Sequence, residues 1–166
     1  MSRYFSLPLL LVAVILQTTI VTEFRIADGG VDLPLLLIVS WVLLAGLEEG
    51  LIWAIVGGIL QDLVRGIPPG VSSLAFVVAT GLPGIIIGQV SRRNLIFPPL
   101  VAAMATAIYH VLLIGLYAVI SRPVDFSYVL VYVTAPTLVF NVALSLPVFR
   151  AMGVVYAATR PRGITM

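Results

Sequence analysis

Residues 56–73 read V-G-G-I-L-Q-D-L-V-R-G-I-P-P-G-V-S-S, and this stretch decides the fold. An apolar run enters it and carries Asp62 near its end. Gly66, Pro68, Pro69 and Gly70 then break the backbone, because proline lacks an N–H and glycine frees the chain to turn. Ser72 and Ser73 open the next apolar run. The pattern predicts helix, break, helix. Gly58, Asp62 and Gly66 stand four residues apart, so a helix sets them on one stripe. Small residues on that stripe let a neighbouring helix approach the carboxylate. The plainer alternative is a helix end at a membrane surface, with Asp62 reaching water.

The rest of the chain has the same character. Of 166 residues, 61% are hydrophobic and only 10% charged, with mean hydropathy +1.18. A water-soluble domain is about a quarter charged, so this composition belongs to a membrane domain. The length suits one compact domain without a sizeable extramembrane part. There is no Cys, which excludes disulfides, thiolate metal ligands and a thiol nucleophile. The basic residues are nine arginines, scattered along the chain, and the net charge of +2 does not point to nucleic acid.

Six apolar runs predict an all-α, polytopic bundle of six transmembrane helices in a single domain, 1–166. The approximate spans are 4–22, 33–47, 51–65, 71–90, 95–120 and 127–149, followed by a tail over 150–166. The first run is long for a signal-peptide core and no small-x-small cleavage pattern follows it, so it reads as a retained span. Gln17, Thr18 and Thr22 give that helix a polar stripe suited to helix–helix or local backbone hydrogen bonds. The loop Glu23–Asp32 is acidic. Pro34 fits the first turn of the second helix, where no N–H partner is needed. The second and third runs are short for a ~30 Å hydrocarbon core. They read as a close-packed hairpin, joined through Gly46–Gly50 and touching at Gly57 and Gly58, that needs bilayer thinning or cover by other helices. Pro83 and Pro136 are expected to bend the fourth and sixth helices. Gly84 and Gly88 form a possible close-packing step.

Orientation follows from the arginines. With a cytoplasmic N-terminus, Arg3, Arg92, Arg93, Arg150, Arg160 and Arg162 lie inside, and Arg25, Arg65 and Arg122 lie outside. The positive-inside rule then places both termini in the cytoplasm and the Asp62–Gly70 break at the outer face.

The chemistry is sparse. Asp62 needs a partner, water or a proton at helix depth. Arg65, three residues on, is the expected partner along the helix. A second candidate is the helix start after the break, where free N–H groups at Val71 to Ser73 suit an anion. Gln61 points to a different face and is expected to contact a neighbouring helix. His110 is the only histidine and builds no metal site alone. It reads as a helix–helix hydrogen-bonding group, and Tyr109 and Trp53 read as packing groups. No Gly-x-Ser-x-Gly elbow, phosphate loop or His-Glu metal motif is present, so the reading is a non-enzyme without cofactor or metal.

Six spans in this length, with Gly58-x-x-x-Asp62-x-x-x-Gly66-x-x-x-Gly70 closing the third, resemble the rod shape-determining MreD family. Pro34 at the start of the second span and the pair Asn141 and Pro147 in the last resemble it too. This sequence has Leu35 after that proline, where family members often carry a polar residue. The resemblance implies a non-catalytic subunit of the bacterial elongation (rod) complex in the inner membrane. Its implied partners are the MreC scaffold, the MreB filament, the RodA glycosyltransferase with its penicillin-binding transpeptidase, and membrane lipid. Gly58, Gln61, Asp62, Gly66, Gly70, Pro34, Asn141 and Pro147 are then its partner-binding or structural residues. The family is similar in fold to the S-components of energy-coupling-factor transporters, so the bundle is expected to be S-component-like. The rival reading is a vitamin-binding S-component. Against it, Ala13 lacks the Ala-x-x-x-Ala partner that docks such subunits, since Leu9 and Gln17 flank it.

Overall fold

The computed structural model describes residues 2–19, 28–87, 96–120 and 125–159. They form α1 (Ser2–Thr19), α2 (Leu33–Ala45), α3 (Leu47–Arg65), α4 (Val71–Ile87), α5 (Phe97–Val119) and α6 (Phe126–Thr159). Among the described residues there is no strand, so the chain is all-α. α5 and α6 are long and apolar enough to cross a membrane. Thr22, Gly88, residues 91–94, Arg122 and the tail from Arg160 lie outside the described residues.

The bundle is built around α2, which packs against each of the other five helices. The sequence L-P-L-L-L-I-V-S-W-V-L-L-A explains this, because a helix apolar on every side has no face for water. Eight of its 13 residues are buried. At 1.5 Å per residue it spans only about 20 Å, less than a hydrocarbon core. Of the two remedies open to a short run, this chain uses cover by other helices. Trp41 of α2 stacks on Trp53 of α3 with ring centroids 4.3 Å apart. It also meets Tyr156 of α6 edge-on at 5.7 Å. Such contacts hold helices together by packing, since lipid offers apolar side chains no reason to leave it.

The α2–α3 corner is tighter than the sequence suggests. Gly46 alone connects the helices, with φ 104°. Glu48 and Glu49 fall in the first turn of α3, where carboxylates favour the helix dipole. The close backbone approach of the hairpin is at Gly50, where a Cβ would sit 2.9 Å from Val42 Cα. The expected contact at Gly57 and Gly58 is therefore displaced. Gly57 meets only side-chain ends, of Ile38 and Leu10. Gly58 faces α4.

In α6, proline reshapes the helix. Pro136 has no N–H for the carbonyl of Tyr132, four residues back. The helix widens into a π-helical stretch at Val129–Thr134 just before it. The freed Tyr132 carbonyl accepts the Asp28 N–H of the first loop at 3.2 Å. A Cβ on the adjacent Gly29 would lie 2.5 Å from the Val133 carbonyl oxygen, so only glycine permits this docking. The expected bend is thus a landing site for the α1–α2 loop. α6 also continues beyond the expected end at Phe149 to Thr159. Met152 there is buried, and Tyr156 packs on Trp41.

Candidate functional site

Asp32, Gln61, Asp62, Ser72 and Ser73, all buried, lie at one end of the bundle, where α3 finishes and α2 and α4 begin. Asp62 is fully buried, in the last turn of α3. Gly66 ends the helix in the left-handed conformation, φ 64°, and returns its N–H to the Asp62 carbonyl. Ile67 N–H reaches the same carbonyl at 3.2 Å. The chain then turns through Gly70, φ 111°. Leu74 N–H bonds to the Gly70 carbonyl, which makes Gly70 the N-cap of α4. A glycine cap has no side chain to offer the free N–H groups of the first turn. Asp62 supplies it from the neighbouring helix. Its Oδ2 accepts from Gly70 N–H at 2.7 Å. Ser72 N–H is shared by Oδ1 at 2.9 Å and Oδ2 at 3.1 Å.

Gly58, one turn earlier, makes the junction possible. A Cβ there would collide with Ser73 N and Cα, so the α3 and α4 backbones touch. Ser73 hydroxyl donates back to the Ile55 carbonyl at 2.9 Å. Gly66 and Gly70 meet nothing within 4 Å. Both stay glycine for their backbone angles, as the break requires, and for Gly66 this corrects the expected packing stripe of Gly58, Asp62 and Gly66.

The start of α2 is satisfied just as completely. Leu33 N–H donates to Gln17 Oε1 at 2.9 Å, and Gln17 Nε2 donates to the Val31 carbonyl at 2.6 Å. Pro34 has no N–H to place. Asp32 caps Leu35 N–H through its side chain at 3.2 Å. Asn141 of α6 then ties three elements. Its Oδ1 accepts the Asp32 N–H and its Nδ2 donates to Thr106 Oγ1 of α5, both at 2.9 Å. Burial pushes the Asp32 carboxyl above the usual carboxylate range, against the opposing pull of the Arg65 guanidinium.

Arg65 does not pair with Asp62 in this arrangement. It turns away and donates to the Tyr109 hydroxyl of α5 at 3.0 Å. With Asp62 capped by two backbone N–H groups, the carboxylate has no need of it. His110 makes no helix–helix bond; its Nδ1 meets the Thr106 carbonyl of its own helix at 2.9 Å. Tyr109 stacks on Phe76 at 4.7 Å.

The structure thus brings Pro34, Gly58, Gln61, Asp62 and Asn141 to one end of the bundle and buries each of them. Pro147, six residues after Asn141, is exposed on another side of α6. Gln17, Asp32 and Thr106 belong to the same polar end and were not singled out as site residues from sequence. Only the Asp-x-Pro step before an apolar run hints at the cap. Gln61 is 3% exposed, and both its Oε1 and its Nε2 lack a partner, as does the Ser72 hydroxyl. Among the described residues no group of His, Asp and Glu is placed to hold a metal. Asp62 and Asp32 cap helices here, and Arg65 joins α3 to α5.

Neither a curated protein nor a solved structure matches the chain significantly. One protein-family model does, over residues 1–156. That model describes the rod shape-determining protein MreD, and since it spans nearly the whole chain, this protein belongs to the MreD family.

Proposed function

We propose that the chain is a non-catalytic, six-span subunit of the elongation (rod) complex in the bacterial inner membrane, with both termini cytoplasmic. It binds the MreC scaffold. Through that contact it works beside the MreB filament, the RodA glycosyltransferase and its penicillin-binding transpeptidase to organise peptidoglycan synthesis. The family match over residues 1–156 carries this reading. The geometry supports it: Asp62 and Asn141 tie helices together, so their role is to hold the surface offered to a partner. That surface is apolar helix, with Leu74, Ile86 and Val139 each more than half exposed. Gly58 and Pro34 serve the same end by letting α4 approach and α2 start.

The vitamin-capture alternative needs a pocket with converging polar and aromatic groups. The two cavities that Arg65 lines measure about 230 Å³ each, under the ~300 Å³ at which drug-sized pockets begin, and the larger one between α1 and α6, about 520 Å³, is lined by aliphatic residues with Thr159 as its one polar group. The test is co-purification. Detergent-solubilised wild-type chain is expected to retain MreC, and Asp62→Ala to lose it in proportion to its loss of stability. A well-folded chain that never retains MreC, or that is stabilised against heat by a vitamin, sinks the proposal.

A further inference from the structure

Beside the Asp62 junction lies a cavity of about 230 Å³ between α1, the first turn of α2 and the last turns of α3. Gln17, Thr18, Gln61 and Arg65 are its polar lining, with Val14, Pro34 and Val64. Gln61 stands out there. A buried amide without partners is disfavoured, and a native fold that keeps one has a use for it. Asp62, the next residue, has its carboxylate engaged by two backbone N–H groups, whereas the Ser72 hydroxyl at the same junction is unpartnered like the Gln61 amide. Gln17, the other amide of the cavity, uses both ends of its side chain. What remains is the Gln61 amide, which donates and accepts, and the Arg65 guanidinium. Of that group's five N–H donors, one goes to Tyr109.

A ligand that suits both must bring an oxyanion for the guanidinium and the amide N–H, and a donor for Gln61 Oε1. Arginine's planar fork matches phosphate oxygens in particular. The cavity opens beside apolar surface, with Ile15 and Val64 each 52% exposed and Leu63 65% exposed. In a membrane protein those faces meet acyl chains. The volume admits a headgroup and leaves the chains outside along α1 and α3. We infer that this cavity binds the headgroup of a membrane phospholipid: a phosphodiester carrying its own hydrogen-bond donor, such as an ethanolamine ammonium or a glycerol hydroxyl. The inference rests on the membrane setting and not on the binding of MreC.

Lipid retention by the purified full-length chain tests it. Dioleoyl phosphatidylethanolamine, phosphatidylglycerol and phosphatidylcholine are offered in equal amounts in detergent, and bound lipid is counted by native mass spectrometry. Choline keeps the phosphate but has no N–H or O–H. Wild type is expected to prefer the ethanolamine and glycerol lipids about two- to tenfold, the factor one hydrogen bond gives. Gln61→Leu and the length-matched Gln61→Met should erase that preference while raising the melting temperature, since both remove a buried orphan. Arg65→Gln should weaken all three lipids. Equal retention of all three by wild type overturns the inference, because the headgroup donor is then not read by the Gln61 amide. Unchanged preference in both Gln61 variants overturns the site. Soluble glycerol 3-phosphate displacing the lipid at equal concentration overturns the lipid source. MreC recovery from the same preparations is a separate readout, so failure here is distinguishable from failure of the complex.

Discussion

Replacing Asp62 by alanine removes the only side-chain acceptor for two N–H groups at the start of α4. The two losses are unequal. Ser72 is fully buried, so its N–H has no water to turn to, and a buried orphan donor costs about 1–3 kcal/mol. Gly70 is half-buried, and water restores most of its bond; that loss resembles removal of an ordinary N-cap, about 1 kcal/mol. The sum is about 2–4 kcal/mol, or roughly 5–15 °C in melting temperature for a chain of this size. Asparagine should be milder. Its one oxygen, placed at the Oδ2 position, still reaches Gly70 and Ser72, as Oδ2 does at 2.7 and 3.1 Å. Its NH2 then faces the Ser72 N–H, donor against donor, where Oδ1 stood, so about half the loss returns. The order wild type, Asn, Ala is to be read by thermal unfolding in one detergent, with MreC recovery alongside. Alanine as stable as wild type refutes the capping argument. An Asn variant of near-normal stability and assembly that fails to rescue cell shape would instead assign Asp62 a charge-dependent task that the cap does not explain.

Other expectations follow from the same contacts. Gly58→Ala should be severely destabilising because its Cβ meets Ser73 backbone, whereas Gly115→Ala, with nothing within 4 Å, should be neutral or stabilising by about 0.5–1 kcal/mol; equal melting temperatures for the pair would contradict the close approach. Asn141→Leu leaves the buried Asp32 N–H unpaired and should lose about 1–3 kcal/mol, while Thr106→Val, which removes one end of the network, should lose less; the reverse order in denaturant unfolding counts against Asn141 as the tie. For topology, single cysteines in this Cys-free chain at Ser2 and at the exposed Pro68 should differ, with an impermeant reagent on intact cells labelling 68 and not 2. Gly29 is unsuited to such labelling because its docking excludes a side chain.

The sequence carries local signals well and distant ones poorly. The break at Gly66–Gly70 is legible because proline and glycine act on their own backbone, and the anion at the next helix start follows from counting free N–H groups. The burial of α2 is half legible: its length leaves bilayer thinning and cover by neighbours equally open, and only packing decides. Arg65 shows the limit. Spacing along one helix favours Asp62, yet its partner is Tyr109, 44 residues away. The same limit hides the role of Pro136, since the Asp28 N–H that meets the carbonyl it frees comes from the opposite half of the chain. The extension of α6 to Thr159 is hidden for the same reason, since nothing local reveals that Tyr156 has Trp41 to pack against.

Gln61 and Asp62 sharpen the point, being adjacent on one helix and both buried, with opposite fates. A carboxylate in this setting must be satisfied by the protein itself, since the penalty for leaving a charge unpaired exceeds what a marginal fold can bear. Asp62 therefore belongs to the architecture, and changing it must first be felt as instability. A neutral amide can be left unpaired at a cost of a few kcal/mol, which is within reach of what a bound molecule returns. Gln61 therefore belongs to binding, and changing it to an apolar residue should be felt as added stability with lost occupancy. The two residues thus predict opposite signs in one melting experiment. If Gln61→Leu destabilised the chain as Asp62→Ala does, both would be architectural, and the cavity beside them would have no claim on a lipid headgroup.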